Sequence, residues 1–454
     1  MEQVAAKESL SGRPHLLTVF PPLLLPLSAA AVCFGLFMGN GSRSWLLLTL
    51  GAAASIIAVT GTALAVMRRT VCHWRMAEGM LYVTYGAVNR RELGFRLDRL
   101  LYAEIRQNPL TALLGCSRVR LYAPTDAKPF FSQLMAEREA AALVNRFAAA
   151  TQEKPHEGNA HSQRLVSGKY AALLGAATAR ETLLPVGWSG ICALYGMGNL
   201  TMAILAAALL TAGLLSLVMR LLREGGLEVA ILPEGFAIQA GVWHRRKYFV
   251  PRRSVIGTVE CAGPVSLLRG ASRFELICEG GRRIPCMRWY EGGCGAEAAK
   301  RLLDCTGLAL THAADSAAFR RYYVGLTVAA LLTGIPGGLL LLPLDGTMRR
   351  FASAALTAAL LTALLHCMTA LRFGEDSGIH IGAGTLSVGG MGLLSARRLT
   401  LRRGCLAAVK IRRGLRERMK GFCTAELIPK GTRRGGVCRQ IPYDKLLAIV
   451  ERFY

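Results

Sequence analysis

The chain has 454 residues, 52% of them hydrophobic and only 7% aromatic, with 55 Lys and Arg against 29 Asp and Glu, a net charge of +26. A disordered chain and a disulfide mini-protein are excluded. The apolar residues are bunched into long charge-free runs, which argues against an ordinary soluble enzyme and for a bilayer protein with a basic aqueous portion. The 13 cysteines form no CxxC pair, and Cys33, Cys192 and Cys367 lie in apolar runs. A disulfide framework is not expected, and a reducing compartment fits better.

The polar stretch Met1 to Pro14 precedes an apolar run too long for a cleaved signal core, so an uncleaved anchor is predicted. Leu16 to Met38 and Trp45 to Met67 each have the length of a spanning helix, and the link between them is short enough only for a hairpin. Leu183 to Met219 carries no charge and is broken by Gly196-Met-Gly-Asn199, which predicts a second hairpin. Val166 to Ala179 reads as an interfacial segment. The alternative is one long first arm with Arg180 and Glu181 in the bilayer, costly unless the two pair. Tyr322 to Leu344 and Phe351 to Leu371 form a third pair. Arg68, Arg69, Arg220, Arg223, Arg320, Arg321 and Arg372 flank one side of these hairpins. The positive-inside rule therefore predicts a multi-pass cell-membrane protein with both termini and the polar blocks in the cytoplasm. Arg349 and Arg350 on the opposite side weigh mildly against it.

The domain reading is a tail and hairpin over 1–67, a polar block over 68–160, and an interfacial segment with hairpin over 161–219. A second block follows over 220–321, a hairpin over 322–371 and a third block over 372–454. At one constant offset Gly86 meets Gly241, Arg90-Arg91 meets Arg245-Arg246, Pro109 meets Pro264, Gly115 meets Gly270 and Ser117-Arg118 meets Ser272-Arg273. A second offset brings in the third block: Arg252 meets Arg403, Gly270 meets Gly421, and Glu275-Leu276 meets Glu426-Leu427. Three copies of one hairpin-plus-block unit are predicted.

Within the blocks, Leu81 and Val83, Phe274, Leu276 and Cys278, and Val409 and Ile411 alternate with other residues, the period of antiparallel strands. Each block closes with a helical pattern: Ala140, Leu143, Val144 and Phe147; Ala299, Leu302 and Leu303; Leu446, Ile449, Val450 and Phe453. The fold class expected is an α+β membrane protein. Each hairpin is followed by a small β-barrel or curved sheet capped by a C-terminal helix.

The order Leu-Tyr-Val-Thr-Tyr-Gly86, Asn-Arg-Arg91, Gln107-Asn-Pro109, Leu-Leu-Gly115 and Arg118-Val-Arg-Leu121 resembles the bacterial pleckstrin-homology domain of the second type. The threefold layout resembles the YdbT-like membrane proteins. The third block departs from the pattern, with Leu415 where the proline stands. The resemblance implies a pleckstrin-homology-like fold, no catalytic residues, and a scaffolding or protective role at the membrane. In some relatives that role includes immunity to bacteriocins.

The third block is the most basic, with Arg397, Arg398, Arg402, Arg403, Arg412, Arg413, Arg416, Arg418 and Lys420 close together. A solvated basic face is the plain reading, and contact with anionic head groups the functional one. Aromatic interleaving is almost absent, so no nucleic-acid partner is expected. Cys261, Cys278, Cys286 and Cys294 lack zinc-ribbon spacing and read as packed or surface thiols. His366 reads as a neutral packed histidine. Gly390-Met-Gly392 reads as strand glycines rather than a phosphate loop. No catalytic residue, metal or cofactor is predicted.

The reading is a non-enzymatic membrane scaffold, with a transporter or exporter of a toxic peptide or lipid as the alternative. Its expected partners are membrane lipids and a membrane or cytoplasmic protein. The candidate contacts are Arg90, Arg91, Arg245, Arg246, Lys247, Arg402, Arg403, Arg412 and Arg413. Three turns, Arg90-Arg91, Arg245-Arg246-Lys247 and Arg402-Arg403, are expected at corresponding places in the repeats.

Overall fold

A computed structural model describes residues 10–12, 15, 20–39, 45–77, 79–85, 90–124, 129–150, 163–166, 173, 176–177, 179–232, 235–263, 271–280, 282–290, 324–325, 327–330, 332–334, 336–337, 346–373, 378–382, 384–392, 395–432 and 435–453. The chain divides into two compact units, Met1–Gly158 and Asn159–Tyr454.

In the first unit a short strand β1 (Leu10–Gly12) precedes an antiparallel helix pair, α1 (Phe20–Gly39) and α2 (Trp45–Val71). Strands β2 (His73–Ala77), β3 (Met80–Tyr85) and β4 (Arg91–Arg96) follow, and β1 returns to pair with β2. The helix pair is therefore inserted between two neighbouring strands of one sheet. Gly12 faces Trp74 so closely that a Cβ would lie 2.8 Å from the indole. Trp74 is buried and meets Phe131 edge-on. A 3-10 turn, Leu97–Arg99, leads into β5 (Tyr102–Gln107), a short helix α3 (Pro109–Leu113), β6 (Cys116–Tyr122) and β7 (Phe131–Ala136). The closing helix α4 (Glu137–Ala150) buries Ala140, Leu143 and Phe147, the stripe expected from the sequence. Within the core, Glu104 is fully buried and accepts hydrogen bonds from Arg106 and the Tyr122 hydroxyl, so its charge is compensated.

The second unit opens in the same way. Strand β8 (Gln163–Val166) precedes helices α5 (Arg180–Tyr195) and α6 (Leu200–Glu224) and then pairs with β9 (Glu228–Ile231). β10 (Gly235–Ala240) and β11 (Arg245–Pro251) complete that sheet segment. β12 (Val255–Ala262), β13 (Ala271–Cys278) and β14 (Arg283–Tyr290) follow. A long helix, α7 (Gly346–Phe373), leads to β15 (Gly378–Ile381), β16 (Thr385–Gly392) and β17 (Ser395–Arg402). The chain ends with β18 (Leu406–Arg412), a short helix α8 (Leu415–Met419), β19 (Phe422–Pro429), β20 (Gly436–Pro442) and α9 (Tyr443–Phe453).

Strands β14-β13-β12-β17-β16-β15 form one continuous sheet, so the second and third polar blocks are joined by backbone pairing of β12 with β17. Gly257 makes this approach possible, since a Cβ there would lie 2.4 Å from the Thr400 carbonyl oxygen. Ile256, Val259, Ile277, Leu399 and Leu401 pack along the seam. Gly390 lies within β16, where a Cβ would strike the Val437 carbonyl of β20, which explains the glycine at that position.

The architecture is mixed helix and sheet. The sheets among the described residues stay open, which corrects the barrel form of the expectation: pairings such as β12 with β17 join strands of two blocks and extend a sheet sideways instead of closing it on itself. The second helix pair breaks at 196–199 as the glycines predict, with Asn199 capping α6. Glu181 pairs with Arg220 across that hairpin at 2.6 Å, and the Arg180 side chain lies outside the described residues. Tyr195 and Trp188 hydrogen-bond Thr357 and Thr362 of α7, and Arg350 donates to the Met197 carbonyl at the hairpin turn. Arg350 therefore has a structural task at that end. Among the described residues, three helices are long and apolar enough to cross a membrane: Trp45–Val71, Leu200–Arg223 and Gly346–Leu371. Most of Val166 to Ala179, Tyr322 to Leu344 and the helix expected around Ala299 lie outside the described residues.

Candidate functional site

The ends of α6 and α7 meet the β-sheets beside the turn between the last two strands before the 3-10 turn. At the end of α6, Gly241 N–H donates to the Gly225 carbonyl at 2.9 Å and Val242 N–H to that of Leu222 at 3.0 Å. The turn thus satisfies carbonyls that a helix end leaves without partners. Gly241 has φ +95°, and a Cβ would lie 2.2 Å from the His244 carbonyl oxygen, so only glycine fits. The turn projects Val242 and Trp243, the latter 56% exposed, and Arg245-Arg246-Lys247 follow at once. Indole, aliphatic and cationic groups at the end of an apolar helix match the chemistry of a membrane interface.

α7 meets its sheet by packing. Ala370 and Phe373 pack against Met391 and Ala396, which flank the turn between β16 and β17. Arg397 and Arg398 follow, and Arg398 pairs with Glu260 at 3.5 Å. In the first unit Tyr85 ends β3 half-exposed, and Arg90 and Arg91 stand exposed where β4 begins, with residues 86–89 outside the described set.

Of the sequence candidates, Arg90, Arg91, Arg245, Arg246 and Lys247 share this strand position. Arg402 does not. It closes β17 at the opposite end, and Arg403 opens the 3-10 turn Arg403–Cys405. Counted back from their 3-10 turns, Arg397 and Arg398 stand where Arg246 and Lys247 stand. Arg412 ends β18 and lies 3.7 Å from Glu426, and Arg413 stacks on the Tyr443 ring at 4.1 Å. Both are thus engaged within their own block. Sequence reasoning missed Val242 and Trp243. Their signal was an apolar pair between a glycine and a basic run, where a solvated turn would be polar.

Among the described residues, burial holds the thiols of the second block protonated. Burial pushes Cys278 up to about 12 and Cys286 higher still, and burial, with Glu275 adding to it, pushes Cys261 up to about 11. Cys294 lies outside the described residues.

Residues 25–151 match the family model described as the bacterial PH domain. The match runs from within α1 to α4, so it takes in the helix pair as well as the sheets. No curated protein and no solved structure matches the chain.

Proposed function

We propose that the chain is a membrane-anchored, non-catalytic scaffold built of three pleckstrin-homology-like units. The first two units carry a helix hairpin inserted after their first strand. The observation that carries the reading is the turn at the end of α6, where Trp243 and Arg245-Arg246-Lys247 project beside an apolar helix. The recurrence of strand, hairpin, strands at β1 to β4 and at β8 to β11 supports the repeat. The excess of arginine at these helix ends supports placing the sheet blocks on the cytoplasmic side. There the basic turns orient the blocks on anionic head groups, each cation contributing about 1 kcal/mol near such a surface. Three weakly binding blocks on one anchor engage a protein partner with raised effective concentration. The resemblance to YdbT-like proteins extends this role to protection of the membrane against antimicrobial peptides.

The test is native purification in mild detergent, followed by mass spectrometry of what travels with the chain. A stoichiometric protein partner, lost from an Arg245→Gln/Arg246→Gln/Lys247→Gln variant, is the expected result. A chain without a partner that moves peptide or lipid across reconstituted vesicles would instead establish a transporter.

A further inference from the structure

Helices α3 and α8 occupy the same step of the fold, between the first and second strands after the 3-10 turn. Each is a single tight turn with its own fastening. Asn108 N–H donates to Thr111 Oγ1 at 2.8 Å in one, and Gly414 N–H donates to Glu417 Oε2 at 2.9 Å in the other. Glu417 is held in turn by Thr424. Each ends at a glycine with positive φ, Gly115 at +62° and Gly421 at +70°. These are built tips, and their apolar side chains face outward. Leu110 is 77% and Leu113 84% exposed; Leu415 is 81% and Met419 83% exposed. Spacings of three and four place each set on one face.

Their position indicates what covers them. His15, between β1 and α1, donates its backbone N–H to the Leu134 carbonyl of β7 at 2.8 Å. Two residues on, Ala136 pairs with Cys116, and Glu137 N–H bonds the Gly115 carbonyl at the end of α3. The α3 tip therefore lies beside the point where the chain approaches its first apolar helix. In the second unit, Ala262 at the end of β12 pairs with Ala396, which packs on Ala370 and Phe373 at the end of α7. β12 has the place in its block that β18 has in the last, down to the bulges at Val255/Gly257 and Leu406/Ala408. The strand leading into such a tip thus runs toward a helix end.

We infer that the α3 and α8 tips insert their leucine and methionine side chains into the interfacial layer of a phospholipid bilayer. The inference rests on the reading that the long apolar helices cross that bilayer. The tips differ in charge. α8 is surrounded by exposed Arg412, Arg418 and Lys420, whereas the α3 turn, Pro109–Leu113, carries no charge. The cations that flank α3 are Arg106, which pairs with buried Glu104, and Arg118, so α8 depends on anionic lipid more than α3, which is held chiefly by apolar burial.

The experiment replaces Leu113 or Met419 with p-benzoylphenylalanine in the full chain, reconstituted in vesicles of phosphatidylcholine and phosphatidylglycerol. Arg99 is the control site. It is exposed in the 3-10 turn at the far end of β4, about 20 Å along the strand from Arg91. Irradiation is expected to give phospholipid adducts at 113 and 419 and none at 99. Loss of phosphatidylglycerol or addition of 1 M salt (Debye length about 3 Å) should reduce the adduct at 419 several-fold and leave that at 113. Adducts only to protein, no adducts, or equal labelling at 99 would overturn the inference. Lipid adducts in a chain that purifies without a partner would sink the scaffold reading and leave this one standing.

Discussion

The β12–β17 seam and the α3 and α8 tips put the same residue types to opposite uses. Leu399 and Leu401 are buried between paired strands, with Gly257 letting the backbones meet. Leu110, Leu113 and Leu415 project from helical turns that hold no neighbour over them among the described residues. Hydrophobicity alone does not separate the two cases. What separates them is whether the backbone at that point has a strand to pair with. A leucine in a sheet inherits the burial of its neighbours, while one on a five-residue turn keeps its exposure until something outside the chain covers it.

The contrast can be broken most severely at Gly257. Gly257→Val places a Cβ against the Thr400 carbonyl and should cost about 3 kcal/mol or more, read as a marked fall in the melting midpoint in detergent. Leu401→Ala opens a cavity in the same seam, with an expected loss of about 3 kcal/mol in the same assay. A third expectation concerns the buried thiols. Cys278 is held up to about 12 by burial, against 9 for an exposed thiol. Its folded-state pKa is raised, so its contribution is complete below pH 9 and is lost as pH rises toward 12. The melting midpoint should fall over that window, less steeply in Cys278→Ala. The smallest effect is expected at the tips. Leu110→Ser and Leu113→Ser should shift stability by no more than about 0.5 kcal/mol in detergent, since neither side chain packs on its own fold. A loss as large as that of Leu401→Ala would erase the distinction.

Much of the framework was legible in the sequence because its signals are local. Apolar length gave α2, α6 and α7, and alternation gave Leu81 and Val83 on β3 and Phe274 and Leu276 on β13. The stripe on α4 and the break before Asn199 follow from periodicity and from glycine. The strands β1 and β8 were not legible. They are three and four residues long, too short for alternation to register, and they are strands only because β2 and β9 lie beside them. The seam was hidden for the same reason, since pairing across blocks leaves no periodicity, although Gly257 and Gly390 marked close backbone approach. Among the basic residues, sequence order placed Arg245-Arg246-Lys247 at a turn but set Arg402-Arg403 beside them in error. A strand reverses which end of the sheet a residue occupies, and a count of charges is blind to that.

The central claim is that the turns at the ends of α6 and α7 lie in the headgroup layer. A single-particle reconstruction of the full chain in lipid discs containing phosphatidylglycerol tests it directly. The account predicts headgroup density in contact with Trp243 and Arg245, and at the level of Met391 and Ala396. Bulk solvent between the bilayer and Trp243, with α6 outside the membrane, would contradict it.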